Sequence, residues 1–285
     1  MTDAQVTVKD LIARMQKEES FPAISQHISE LNLKAAPSSE SSANELASLI
    51  LRDYSLTSRL LKVANSAMYG QFSGTISTVS RAVVVLGFEQ VQLTAAGLIL
   101  FEHVQYKAKS HYVKEAVLSA FLSGIIARDL AKRMAVKGWE NIYIGAMFHN
   151  FGRLLGMNYF PEEYCKYQQL VEEGEGEGED TAAREALGLT FSDLGIGVAK
   201  TWSLPDQIVV SMKLPRESDL DKEGKNINHQ LLLPRFANEL CDISMNVAPK
   251  ERRLQLAKLV ARYRNVYPIR FNEIVLMVDE AISEM

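Results

Sequence analysis

Cysteine is scarce. Cys165 and Cys241 are the only two in 285 residues and no CxxC spacing joins them. A disulfide framework is therefore excluded, and both read as ordinary reduced thiols of a cytoplasmic protein. Glycine and proline are few, 16 and 8, which rules out a collagen-like or linker-dominated chain. Neither sign of charge dominates: 31 basic side chains against 35 acidic ones leave a formal charge of −4. The chain thus has no basic footprint for direct nucleic-acid binding. No apolar run approaches the roughly 20 residues of a membrane span. The opening MTDAQVTVKD has neither the basic nor the apolar stretch of a secretion signal. Histidine is rare too, with His27, His103, His111, His149 and His229 the full set. What the chain does have is apolar material. Hydrophobic residues make up 47% of it, enough for a continuous core and too much for a disordered chain.

The apolar residues recur with helical spacing. In 44–65 they fall three and four apart except at Asp53-Tyr54-Ser55, which predicts two helices with Asp53 or Ser55 capping the second. Residues 113–134 predict one long, mostly buried helix. Residues 254–264 and 271–284 predict shorter amphipathic ones. The β-branched run AVVVLGF at 82–88 would suit a strand, yet it follows a helix-start composition and ends at Gly87, a good residue just past a helix end. It is read as a short helix. Pro205 and other prolines punctuate predicted boundaries, whereas Pro234 lies inside an apolar run and starts or kinks a helix there.

Two stretches read as loops. KAAPSSESSA at 34–43 is a polar connector. EEGEGEGED at 172–180 packs six acidic groups and three glycines into nine positions and reads as a solvated hinge. It lacks the fixed oxygen spacing of an EF-hand. No phosphate loop, GxGxxG turn, GxSxG elbow or HExxH helix occurs, and Gly195-Ile196-Gly197 reads as close helix packing.

One segment carries chemistry. In 141–160 an apolar run leads into Phe148-His149-Asn150-Phe151-Gly152. A His followed directly by a carboxylate on a buried helix can offer two ligands from one turn to a water-activating dication. Here the second residue is Asn150, whose neutral amide removes one negative charge from where a dication needs it.

Five ordered motifs in 21–215 resemble the HDOD domain, the metal-site-degenerate branch of the HD phosphohydrolase superfamily. Phe21-Pro22-Ala23-Ile24 looks like its opening LPxLP motif. Asp53-Tyr54-Ser55-Leu56 through Leu60-Leu61-Lys62-Val63-Ala64-Asn65-Ser66-Ala67-Met68-Tyr69 looks like DPxL…LLxxANSAxY. Ile76 to Gly87 resembles IxSIxxAIxxLG, and Gly145-Ala146-Met147-Phe148-His149-Asn150-Phe151-Gly152 resembles GLLHDIG. Leu187-Gly188 to Gly195 and Trp202-Ser203-Leu204-Pro205 resemble LGxxHxxxG…WxLP. The resemblance implies an all-α, multi-helix HD-superfamily-like bundle of roughly a dozen helices. Its expected organisation is an amphipathic helix in 1–19, an HDOD domain over 20–215 and an additional C-terminal helical segment over 216–285 packing on that domain.

Set against the family pattern, the HD aspartate is Asn150, the upstream helical histidine is replaced around Ser119, and the late histidine position is Phe191. A His-His-Asp-Asp set would retain His149 alone, too few ligands for a hydrolytic metal. No catalytic residue, metal or cofactor is expected. His149 is read as a packed histidine bonded to a carbonyl or to Asn150. His103 and His111 are read as flanking a surface turn. Asn65 and Ser66 are read as capping residues, and Asp53, Gly87, Trp202 and Pro205 as structural signature positions, with Trp139 a further packing anchor. The resemblance implies a cytoplasmic bacterial regulatory protein binding signalling partners of two-component or cyclic-dinucleotide pathways. Nothing in the sequence sets its oligomeric state. The alternative is a divergent metal-dependent phosphohydrolase.

Overall fold

The computed structural model describes residues 6–18, 21, 25–26, 28–29, 40–52, 54–65, 76–107, 111–174, 178–220 and 227–284. No strand occurs among them. The chain is all-α. In order, the helices are α1 (Val8–Met15), α2 (Glu40–Leu51), α3 (Tyr54–Ala64), α4 (Val79–Leu86), α5 (Phe88–Lys107) and α6 (His111–Arg133). They continue as α7 (Trp139–Phe148), α8 (Phe151–Tyr159), α9 (Pro161–Glu172), α10 (Glu179–Leu187) and α11 (Phe191–Thr201). The last are α12 (Asp206–Ser211), α13 (Glu217–Leu220), α14 (His229–Asn246), α15 (Pro249–Tyr263) and α16 (Phe271–Glu284). Sixteen among the described residues exceeds the expected dozen, because the apolar runs break into short helices at Asn, Gly and Pro.

Contacts divide the chain into two compact units, one of residues 9–107 and 198–204 and one of 1–8, 108–197 and 205–285. In the smaller unit α2, α3, α4 and α5 pack on one another. The β-branched run forms a helix because both of its ends are capped. The Thr78 side chain accepts from Arg81 N–H, and Gly87 closes the C-terminus at φ +89°, a conformation that disfavours any side chain. Val79, Ala82 and Val83 then bury one face. Asn65, just past α3, donates through Nδ2 to Leu61 O (2.8 Å) and Ile76 O (2.7 Å) and accepts from Ile76 N–H (2.8 Å). Its amide thus caps α3 and fastens the segment entering α4 as a backbone neighbour would. Trp202 is buried in this unit, with Phe21 at 5.8 Å and Nε1–H donating to Ser25 Oγ (2.8 Å). Asp53, Ser66, His27 and residues 22–24 lie outside the described residues.

In the larger unit α6 packs on α7, α14 and α16, while α14 also meets α7, α12 and α15. Their shared core runs through Leu122, Ile126, Ala146, Phe236, Leu240, Tyr263 and Met277. Residues of 216–285 are therefore built into the same core as α6 and α7. Trp139 is half-buried beneath Lys132 rather than fully enclosed. Pro234 lies inside α14, neither starting it nor ending it.

Three loop expectations shift. Within 34–43, helix α2 already begins at Glu40. Within 172–180, Glu172 ends α9, and Glu179 and Asp180 form the first turn of α10, where carboxylates are favoured by the helix dipole. Of the stretch between His103 and His111 read as a surface turn, Tyr106 and Lys107 belong to α5 and 108–110 lie outside the described residues; His103 is half-buried within α5, and His111 opens α6. In each case helix propensity carried through residues that local polarity marked as loop.

Candidate functional site

The larger unit brings the candidate residues to one place. His149 follows the last residue of α7 and Asn150 occupies the N-cap position of α8. The His149 ring lies 2.5 Å through Nδ1 from the main-chain oxygen of Ser211, the last residue of α12. A carbonyl can only accept, so Nδ1 carries the proton and Nε2 keeps its lone pair. Burial lowers the His149 pKa from 6.5 to about 4, against the opposing effect of the Ser211 hydrogen bond; Arg235 and Arg153 lower it further and Glu239 raises it. The ring is neutral at physiological pH. Fixed tautomer and neutral lone pair are what a metal-bound histidine needs from its surroundings.

Its neighbour does not complete that chemistry. Asn150 Nδ2 donates to Asn238 Oδ1 (3.0 Å), and Asn238 in turn donates through Nδ2 to Ala146 O (2.9 Å) and Pro234 O (2.8 Å). Two carbonyl partners assign the Asn238 amide orientation, so its oxygen faces Asn150. Asn150 thus donates through Nδ2, and what it can offer a cation is one neutral amide oxygen in place of a carboxylate.

Phe191 opens α11. Its ring stands edge-on to Tyr167 at 4.9 Å (89°), with Tyr164 at 5.8 Å. A Cβ on Gly156 would lie 2.5 Å from that ring, and one on Gly152 would lie 1.8 Å from the Phe191 oxygen. Glycine at 152 is therefore what allows α8 to reach α11. Thr190 and Asp193 cap α11 reciprocally, each side chain accepting from the other's N–H. His149, Asn150 and Phe191 all line one cavity of about 840 Å³. Ser119 does not reach it. Its main-chain oxygen accepts from the Cys241 thiol, and it lines a second cavity of about 210 Å³ that shares Asn150, Arg153, Asn238 and Asp242 with the first.

The rest of the larger cavity was not legible from the motifs. Arg153 of α8 donates to Glu179 of α10 (2.5 Å). Arg235 of α14 donates to Glu239 Oε1 (3.0 Å), and Arg262 of α15 donates to Glu239 Oε2. Asp180, Lys258 and Asp242 complete the charged lining. One signal was present: Arg235, Asn238, Glu239 and Asp242 are spaced i, i+3, i+4, i+7, a polar stripe on an otherwise apolar helix. Among the described residues no three His, Cys, Asp or Glu side chains gather closely enough to hold a metal ion.

The HDOD domain profile matches residues 21–217. This chain belongs to the HDOD family. A Geobacter sulfurreducens HDOD domain protein of unknown function has the same fold, with a TM-score of 0.60 at 20% identity over 97% of this chain and 96% of that one. A Shewanella amazonensis protein named as a candidate phosphohydrolase gives 0.65 at 18% identity, covering 95% and 93%. A Marinobacter aquaeolei protein named as a candidate signal-transduction protein gives 0.55 at 19%, covering 99% and 66%. At such identities the likeness establishes fold alone. An uncharacterised Treponema pallidum protein is 24% identical over 180 residues, 60% of this chain. The match spans a third (33%) of that relative's length. In this HDOD chain Arg235, Asn238, Glu239 and Arg262 lie beyond the matched 21–217, so part of the cavity wall comes from outside the family region. No helix among the described residues is long and apolar enough to cross a membrane.

The HD superfamily, which the motifs of this chain resemble, implies a metal at this place. The donor set does not fit one: His149 is a sound ligand, but Asn150 turns an N–H toward its surroundings, Phe191 offers a ring, and both Glu239 oxygens are taken by arginines.

Proposed function

We propose that this HDOD protein is a non-catalytic regulatory module of bacterial signal transduction, acting in the cytoplasm by binding other components rather than by hydrolysing phosphoesters. The Asn150–Asn238 amide pair carries the reading, because it commits the HD aspartate position to hydrogen-bond donation. A hydrolytic centre needs three or more protein ligands and a metal-bound water at that point. Partners from two-component or cyclic-dinucleotide pathways follow from the family resemblance and belong to the proposal.

The test pairs metal analysis with turnover. Full-length protein purified without chelators is assayed against phosphomonoester and phosphodiester substrates with Mn²⁺, Fe²⁺ and Ni²⁺, beside His149→Ala. No metal-dependent rate above that variant is expected. Stoichiometric bound metal with activity lost in His149→Ala would overturn the reading in favour of a divergent phosphohydrolase.

A further inference from the structure

The two C-terminal helices carry opposite charges that do not neutralise each other. Seven of the chain's 31 basic residues and one of its 35 acidic ones fall in 250–270, whereas 271–284 holds four acids and no base. α15 buries Leu256, Leu259, Val260 and Tyr263, so helical spacing turns Lys250, Arg253, Leu254, Lys258 and Arg264 outward. α16 buries Ile274, Met277, Val278 and Ala281 and turns Leu276, Asp279, Glu280 and Ser283 outward. Among the described residues no ion pair takes up Lys250, Lys258, Arg264, Asp279 or Glu280. Arg262 alone of α15 meets a carboxylate, that of Glu239. Arg253 instead lies over the Phe271 ring, 5.5 Å from its centroid, which sets the start of α16 beside α15.

An exposed leucine stands within each charged face. Leu254 is 59% exposed, with Lys250 and Lys258 one turn to either side of it. Leu276 is 61% exposed, with Asp279 and Glu280 three and four residues further on. Charge alone would be ordinary solvated surface. A large apolar side chain ringed by charge of one sign has the anatomy of an interface, an apolar centre inside a polar rim. Ala257 and Ala261 continue the exposed face past Leu254, and short side chains at a contact let two helix axes come close.

We infer that a second copy of this chain covers both faces, with the basic face of α15 in one copy seated on the acidic face of α16 in the other about a two-fold axis. Charge complementarity selects the occupant. Each face repels its own kind and matches the other. A two-fold axis uses both faces of both copies and closes the assembly at two, whereas a head-to-tail contact leaves one face open at each end and grows. An anionic membrane is a poorer fit, because it takes up an apolar helix face and that of α15 is buried in the core. Nucleic acid would leave the acidic face of α16 uncovered. Both helices lie beyond the matched 21–217, so the surface belongs to the C-terminal segment and does not depend on what the His149 cavity does.

Sedimentation velocity of the full chain, from about 1 to 300 µM, tests it. A monomer–dimer equilibrium is expected, weakened about tenfold or more as NaCl rises from about 50 to 500 mM, since salt screens exposed charge. Lys250→Glu/Arg264→Glu should be monomeric where wild type is paired, and so should Asp279→Lys/Glu280→Lys. Mixed together, these two variants should form a heterodimer, because both of its helix contacts then join opposite charges at the exchanged positions. A protein that had lost its fold could not do so. All four positions are exposed, and circular dichroism checks each variant. If either is unfolded, Leu254→Ala decides: it should weaken pairing and keep the salt dependence. Wild type monomeric at every concentration, growth beyond two copies, a dimer that the reversals leave intact, or a mixture that stays monomeric overturns the dimer. So does a monomeric wild type that binds labelled duplex DNA or phosphatidylserine vesicles and loses that binding in Lys250→Glu/Arg264→Glu, which would give the basic face to a polyanion instead.

Discussion

Asn150 and Asn238 face each other across 3.0 Å with the donor on one side and the acceptor on the other, and the direction of that bond is imposed by Asn238. Because the Asn238 nitrogen is committed to the carbonyls of Ala146 and Pro234, only its oxygen is left to meet residue 150. A carboxylate at 150 would bring two acceptors together. Asn150→Asp, which restores the HD dipeptide, is therefore expected to lower stability by about 1–3 kcal/mol and to create no metal-dependent hydrolase. Urea unfolding and a Mn²⁺-supplemented phosphatase assay check the two halves. A stable, active Asn150→Asp protein would show that the amide pair does not set the chemistry of this site.

His149 makes stability depend on pH. Its folded-state pKa of about 4 lies below the ordinary 6.5, so between those values the unfolded chain binds a proton that the folded chain excludes. The stabilisation from keeping His149 neutral is complete above about pH 6.5 and is lost as pH falls toward 4, by up to about 3 kcal/mol. Burial lowers His229 as well, in the same sense. The His149 share is therefore read as the difference between wild type and His149→Gln in urea midpoints measured from pH 7.5 to 4.5. Parallel pH profiles would contradict the burial argument.

Gly152 is expected to tolerate no side chain. A Cβ there would lie 1.8 Å from Phe191 O and 2.7 Å from Gly195 N, both main-chain atoms that cannot swing aside. Gly152→Ala should cost about 3 kcal/mol or more and loosen α8 against α11. Gly87→Ala meets no neighbouring atom and suffers only its φ of +89°, so about 1 kcal/mol is expected. Thermal denaturation of the two variants side by side gives the comparison, and equal losses would contradict the contact geometry.

Asn65 fastens the smaller unit through three hydrogen bonds to main-chain groups of Leu61 and Ile76. Asn65→Ala should destabilise it by about 2 kcal/mol, softened by the residue's exposure. Asn65→Asp keeps the acceptor for Ile76 N–H and loses both donations, so it should not rescue. Hydrogen exchange at the Ile76 amide is the local readout: faster exchange in both variants is expected, and unchanged protection would remove Asn65 from this role.

Much of the fold was readable because helices announce themselves locally. The break near residue 53, the capped run ending at Gly87 and the long buried helix before Met134 all follow from spacing and end chemistry within a dozen residues. The errors have one source. Glu40, Glu179 and the Tyr106-Lys107 pair after His103 looked like loop residues on polarity, yet each lies in a helix that packs on other helices, a contact no local polarity reading contains.

The site divides along the same line. The chain alone shows that the HD aspartate is Asn150 and the late histidine Phe191, since residue identity at a motif position needs no neighbours. It could not show that Asn150 is a donor, that the His149 proton sits on Nδ1, or that Arg153, Arg235 and Arg262 enter one cavity. Those properties depend on partners: Asn238, Ser211 and Glu179 lie 88, 62 and 26 residues along the chain from the groups they fix, and Glu239 lies 23 from Arg262 and four from Arg235. Hydrogen-bond direction and charge pairing belong to partners rather than to residues, and partners are chosen by packing.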